Sequence, residues 1–180
     1  EKKPLPWQEK AVKEAEFFLY KQMLKRFAAR SQLGEDITTE IFSGSSNLIV
    51  LKGKYGFGKS TLVAKLAADA QERNAHVLPI VCGLSKNTSK YLDVFRQIAY
   101  HLENLLNLPH KEEQSFEPKR SKLPTAEWIE YLAKLFAAAD KKLTEPVVIF
   151  IDDADTLPYY HDFQFFIKRL LTGLPQNIVF

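Results

Sequence analysis

Apolar positions recur at two different spacings along these 180 residues, and the alternation between the two sets the expected architecture. From Gln8 to Arg30, Val12, Ala15, Leu19, Met23 and Phe27 fall three or four apart, the period of one helix face. Phe17, Phe18, Tyr20 and Leu24 widen that face, so this helix is expected to lie against the domain body, with a partner-docking helix as the alternative. Residues 31–47 are mostly polar and rich in Ser, Thr and Gly, which predicts a loop with a short ordered piece around Ile37 to Phe42.

Beyond that point short apolar runs alternate with helical periods. Leu48 to Lys52 reads as a first strand. His76 to Gly83 reads as a second, with Pro79 arguing for an edge position or a bulge. Val147 to Ile151 is continuously apolar, as a parallel strand covered on both faces would be. Asn177 to Phe180 begins a fourth. Between them helices are expected from Ser60 to about Arg73, where Asn74 stops the pattern, and over Leu92, Phe95, Ile98, Leu102 and Leu105. A third begins at Thr125, which can cap it, with Glu127 near its positive end. Its inward face is Trp128, Ile129, Leu132, Leu135, Phe136 and Ala139. A last helix spans Asp162 to Thr172 with Phe163, Phe166, Ile167, Leu170 and Leu171 inward, closed by Gly173 and Pro175. Pro109 to Pro124 is read as a solvated loop. Strands alternating with helices imply an α/β fold: a parallel sheet with helices on both faces, in three layers, with ligand off the carboxyl ends of the strands.

The chemistry sits where the first strand meets its helix. Gly53-Lys54-Tyr55-Gly56-Phe57-Gly58-Lys59-Ser60-Thr61 fits G-x-x-x-x-G-K-S/T without a gap. A strand feeding a tight loop feeding a helix N-terminus aims several backbone N–H groups and the positive helix end at one point, which suits a polyphosphate. Lys59 would reach the β- and γ-phosphates, and Ser60 would place its hydroxyl on Mg²⁺. The third apolar run ends in Asp152-Asp153. Asp152 would hold Mg²⁺ together with Ser60, and Asp153 would orient or deprotonate the attacking water, with Asp155 as a substitute. Aspartate is one methylene shorter than the glutamate usual at the second position, so slow turnover is expected.

Composition narrows the class. At 46% hydrophobic and 26% charged, the chain reads as one globular domain. No apolar run approaches the about 18 residues of a membrane span. The single cysteine, Cys82, favours a reducing, cytoplasmic setting, and the first residues lack the apolar core of a signal peptide. The four histidines are scattered, which argues against a Cys/His metal site. Net charge is +3. Lys119, Arg120 and Lys122 form a basic cluster that could touch nucleic acid, a partner not favoured because no base-reading pattern accompanies it.

With both motifs placed, the chain resembles the additional-strand P-loop NTPases, the group holding AAA+ and STAND ATPases. The resemblance covers about Leu48 to Phe180. It implies a sheet in the order 5-1-4-3-2 and ATP with Mg²⁺ as ligands. Ile149 to Pro158, continuing to Leu174 to Phe180, and Tyr55 before Gly56, look KAP-like; Val77 to Leu102 is closer to STAND and origin-recognition AAA+ proteins. Asp153 and Thr156 stand where the NACHT form has Gly and Glu. The fifth strand, the lid and the first sensor would follow Phe180, so residues 1–47 are expected to be an N-terminal helix and connecting loop, and 48–180 a core cut before those parts. Lys168 and Arg169 read as helix C-terminal dipole partners. The expected function is a slow ATPase that acts as a switch in a larger signalling or defence protein, with protein partners or self-association through the missing regions. The alternatives are a nucleotide-holding scaffold without turnover and a DNA-associated factor.

Overall fold

The computed structural model describes residues 6–26, 31–84, 88–109 and 125–180. The chain opens with helix α1 (Trp7–Glu16), which runs on as a π-helix over Phe17–Met23 and a 3₁₀ turn over Leu24–Arg26. Its buried face is Gln8, Ala11, Ala15 and Leu19, one step round from the expected stripe; Val12 and Met23 are only partly buried. Residues 27–30, including Phe27, lie outside the described residues.

The expected loop over 31–47 is instead largely a helix, α2 (Ser31–Ser43). Its Thr and Gly had argued for a turn. Thr38 and Thr39, however, donate their hydroxyls to the carbonyls of Gly34 and Glu35 four residues back, so both polar groups are satisfied inside the helix. Ile37 and Ile41 supply the buried contact, joining Ala15, Leu19, Leu62 and Leu66 in one cluster. Helices α1 and α2 therefore share a core with residues of the phosphate-loop half of the chain.

Helix α3 (Lys59–Glu72) ends before Asn74, whose φ of 62° turns the chain into β1 (His76–Val81). Then come α4 (Tyr91–Leu105), α5 (Thr125–Lys142), β2 (Val147–Asp152), a 3₁₀ turn (Ala154–Thr156), α6 (Tyr160–Leu171) and β3 (Ile178–Val179). All six residues expected inward on α5 are buried. The basic cluster at Lys119, Arg120 and Lys122 lies outside the described residues.

The strands form a parallel sheet in the order β1-β2-β3, with Val77 opposite Val148 and Val148 opposite Val179. Pro79 sits on β1 at the sheet edge, where its missing N–H leaves no gap in the ladder. Strand residues alternate between two buried clusters. Leu78, Ile80, Val147, Ile149 and Ile178 pack with α4, α5 and α6; Val77, Val81, Val148, Phe150 and Val179 pack with α2 and α3.

The run Leu48 to Lys52 is not a regular strand. It makes two backbone bonds with one residue beside β3: the Ile49 N–H donates to the Phe180 carbonyl and the Phe180 N–H to Asn47, each at 2.9 Å. Asn47 adds a side-chain anchor, its Nδ2 donating to the carbonyls of Pro175 and Ile178 at 2.7 Å each. β3 is two residues long, and Val50, in the middle of the run, is 58% exposed.

Candidate functional site

The loop from Gly53 to Gly58 is exposed and leads straight into α3. Gly56 and Gly58 have φ of 80° and 77°, a region that favours glycine. At Gly58 space also decides, since a Cβ there would stand 3.0 Å from Thr61 Oγ1, itself bonded at 2.8 Å to the Gly58 carbonyl. Gly53 has neither constraint. The first intrahelical bond runs from Leu62 N–H to Gly58 O, so the N–H groups of Lys59, Ser60 and Thr61 are left free of helical acceptors at the loop mouth. Lys59 Nζ bridges the same mouth, donating to the carbonyls of Gly53 at 3.0 Å and Lys54 at 3.4 Å. Tyr55 and Phe57 point into solvent.

Asp152 closes the other side. As the last residue of β2 it is 4% exposed, and the Ser60 side chain and the Asp153 backbone N–H stand beside its carboxylate and favour its charged form. The two residues expected to share a metal ion, far apart in the chain, are in contact. Burial pushes the Asp152 carboxyl above its ordinary range, with the Asp153 charge adding to the rise; the neighbouring Ser60 side chain, the Asp153 N–H and the Lys59 charge act the other way. Its Oδ2 is buried without a hydrogen-bond partner. An unpaired carboxylate oxygen beside a hydroxyl fits a hard cation that takes oxygen ligands. Among the described residues no group of three or more His, Cys, Asp or Glu could hold a metal, so an ion here would draw its remaining ligands from water or phosphate.

A carboxylate that titrates higher when folded opposes folding wherever it is ionised. That opposition is absent below the ordinary value of 3.8, grows as pH rises through the raised folded value, and is complete at neutral pH. Asp152→Asn is therefore expected to stabilise the ligand-free chain at pH 7, read as a rise in Tm. The gain should vanish below pH 4, and the variant should lose any stabilisation by Mg²⁺ with nucleotide. Thermal unfolding at the two pH values checks both.

Asp153 follows β2 in the left-handed region, at φ 54°, and its carbonyl accepts from the Thr156 N–H at 3.0 Å and hydroxyl at 2.7 Å. It is half-buried beside Asp152, while Asp155 is exposed. Cys82, at the end of β1, donates its N–H to the Asp152 carbonyl at 3.0 Å. Burial raises its thiol to about 12, with Asp152, Asp153 and Asp155 adding to the shift. We expect iodoacetamide at pH 8 to leave Cys82 unmodified in the folded chain and to label it once urea unfolds it, read by mass spectrometry.

A cavity of about 500 Å³ opens between Gly53, Lys59 and Asp152 and reaches Gln164 and Lys168 on α6. The sequence had offered Lys168 only as a helix-end cation; its place in this cavity follows from the packing of α6, which no local pattern announces. Asn47, the anchor of the approach to the loop, was missed for the same reason, since its acceptors lie about 130 residues away.

A protein-family model described as AAA ATPase domain matches residues 24–180. No curated protein and no solved structure matches the chain.

Proposed function

Because the chain belongs to the AAA ATPase domain family, we propose that it binds ATP with Mg²⁺ at Gly53 to Thr61 and hydrolyses it slowly. The observation that carries this reading is the meeting of Ser60 with Asp152, whose second oxygen has no partner, directly behind a loop with free helix-terminal N–H groups. The loop amides and Lys59 would bind the β- and γ-phosphates and stabilise the charge that develops on them. Lys59 would give up its bonds to Gly53 and Lys54 to do so. Ser60 and Asp152 would hold Mg²⁺, which when bound neutralises charge on the β- and γ-oxygens. Asp153 would orient the water for in-line attack and accept its proton.

The finer assignment is also ours: a three-layer core whose sheet follows the order 5-1-4-3-2. The bonds between Asn47, Ile49 and Phe180 support that order, because they set the first apolar run beside β3. In this reading the chain is the switch module of a larger STAND- or KAP-like protein of the cytoplasm, coupled to protein partners or to copies of itself. Among the described residues no helix is long and apolar enough to cross a membrane. A second reading, nucleotide held without turnover, is favoured by the left-handed backbone and short side chain of Asp153. Titrating the chain with ATP and Mg²⁺ while following heat and released phosphate decides between them. Binding with release supports the ATPase, binding without release supports the holder, and no binding by folded chain overturns both.

A further inference from the structure

The phosphate loop carries side chains that its phosphate chemistry does not use. From Ile41 to Ala68 the chain holds no Asp or Glu, and its lysines there are Lys52, Lys54, Lys59 and Lys65. Lys65 pairs with Asp69, and Lys59 bonds its own loop. Lys52 and Lys54 are exposed, and among the described residues neither makes an ion pair or a side-chain hydrogen bond. Tyr55 is fully exposed and Phe57 56% exposed, and among the described residues neither ring has a ring partner. The backbone holds these groups out together. The Phe57 N–H donates to the Lys54 carbonyl at 3.3 Å, closing a β-turn with Tyr55 as its second residue. Gly56, the third, has φ 80°, the positive value that a type II turn requires there. Two cations and two rings therefore stand around one turn, all of them in water.

We propose that the solvent side of this turn is a stacking platform for single-stranded nucleic acid, with one base on Tyr55, one on Phe57, and Lys52 and Lys54 on the flanking phosphates. Rings that offer a free π-face beside cations that track a backbone are the two parts such a platform needs. The combination also selects against other polyanions. An acidic peptide pairs the lysines and leaves both ring faces in water. A duplex offers phosphates, but its bases stay stacked on one another. A membrane takes the rings, yet it also strips water from the N–H groups of Gly56 and Gly58, which make no backbone bond. A single strand covers the rings, pairs the cations and leaves those amides hydrated. The platform stands on Lys52, Lys54, Tyr55 and Phe57, and it does not depend on ATP occupying the site formed with Lys59 and Asp152.

Fluorescence anisotropy of a labelled oligothymidylate of about ten nucleotides, at low salt and without ATP, tests this on the full chain. Binding is expected, and two phosphate contacts predict that log K falls against log salt with a slope of about −1.4. Tyr55→Ala and Phe57→Ala should each weaken it about 5- to 150-fold, the loss of one stacked base. Tyr55→Phe keeps the ring and should bind like the parent, whereas Phe57→Leu keeps only apolar bulk and should lose as much as Phe57→Ala. Replacing Lys52 and Lys54 together by Gln should flatten the salt slope by about 1.4. Lys59→Ala should cost less than either ring, because its ammonium is turned to the Gly53 and Lys54 carbonyls. Oligouridylate run beside oligothymidylate separates RNA from DNA as the source of the strand, and the tighter of the two names it. A duplex of the same length, polyglutamate and phosphatidylserine vesicles should all bind more weakly. No binding of either strand overturns the platform. So does a duplex, polyglutamate or vesicle that binds as tightly, or a Phe57→Leu chain that binds like the parent. A loss with Lys59→Ala as large as with the ring variants also overturns it, since the strand would then lie in the nucleotide mouth.

Discussion

Lys59→Ala should leave a folded chain that no longer retains ATP at concentrations that saturate the parent. Lys59 is only half-buried and touches its own loop, bridging Gly53 and Lys54 by two bonds, so little of the core depends on it. Unfolding stability should move by no more than about 0.5 kcal/mol. Its ammonium is the one cation among the described residues bonded across the loop mouth. A hydrogen bond to a charged group contributes about 1.5–3 kcal/mol, so binding should weaken by about 10- to 150-fold. The phosphate charge grows in the transition state, and turnover should fall by a further ~10²–10³. Calorimetry and phosphate release on the parent and variant separate the two losses. An equal affinity in the variant would mean that the loop amides alone hold the ligand, or that ATP binds elsewhere.

The parts of this site that were legible in the sequence are those whose geometry is local. A tight loop with glycines at Gly56 and Gly58 needs only its own residues to adopt positive φ, and an apolar run ending in Asp152 needs only to be buried. The helical stripes on α4, α5 and α6 were legible for the same reason: each is set by the period of its own backbone. What failed was either masked by local chemistry or decided at a distance. Helix α2 hid behind Ser, Thr and Gly, because a hydroxyl that breaks a helix in one context returns to the carbonyl four residues back in another. The first apolar run was read as a strand on its composition, yet a strand exists only where a neighbour pairs with it. Here pairing depends on Phe180, about 130 residues later, and lasts for two bonds. The π-helix over Phe17–Met23 was equally out of reach, since the continuous apolar stretch from Phe17 to Tyr20 satisfies several helical periods at once.

Asp153→Gly is expected to make the chain more stable and any ATP turnover far slower. At φ 54° the aspartate sits in a region that glycine adopts freely and that side chains with a Cβ enter at about 1–2 kcal/mol. Asp is among the few such residues that visit it, so relief near the low end, about 1 kcal/mol, is expected. Urea unfolding measures it. If Asp153 orients the attacking water, turnover falls by about 10²–10⁴ while ATP affinity holds, because the side chain acts on water and not on the phosphates. The same backbone bears on why this position carries Asp and not the longer Glu. The 3₁₀ turn pins the Asp153 carbonyl with two bonds from Thr156, fixing the left-handed bend in which Glu is disfavoured. Asp153→Glu should therefore destabilise the chain, and any turnover it gains would come from reach alone. A Gly variant that is stabilised and turns over like the parent would remove Asp153 from catalysis and leave it as a residue chosen for its turn. A Gly variant with neither effect would place the strain elsewhere.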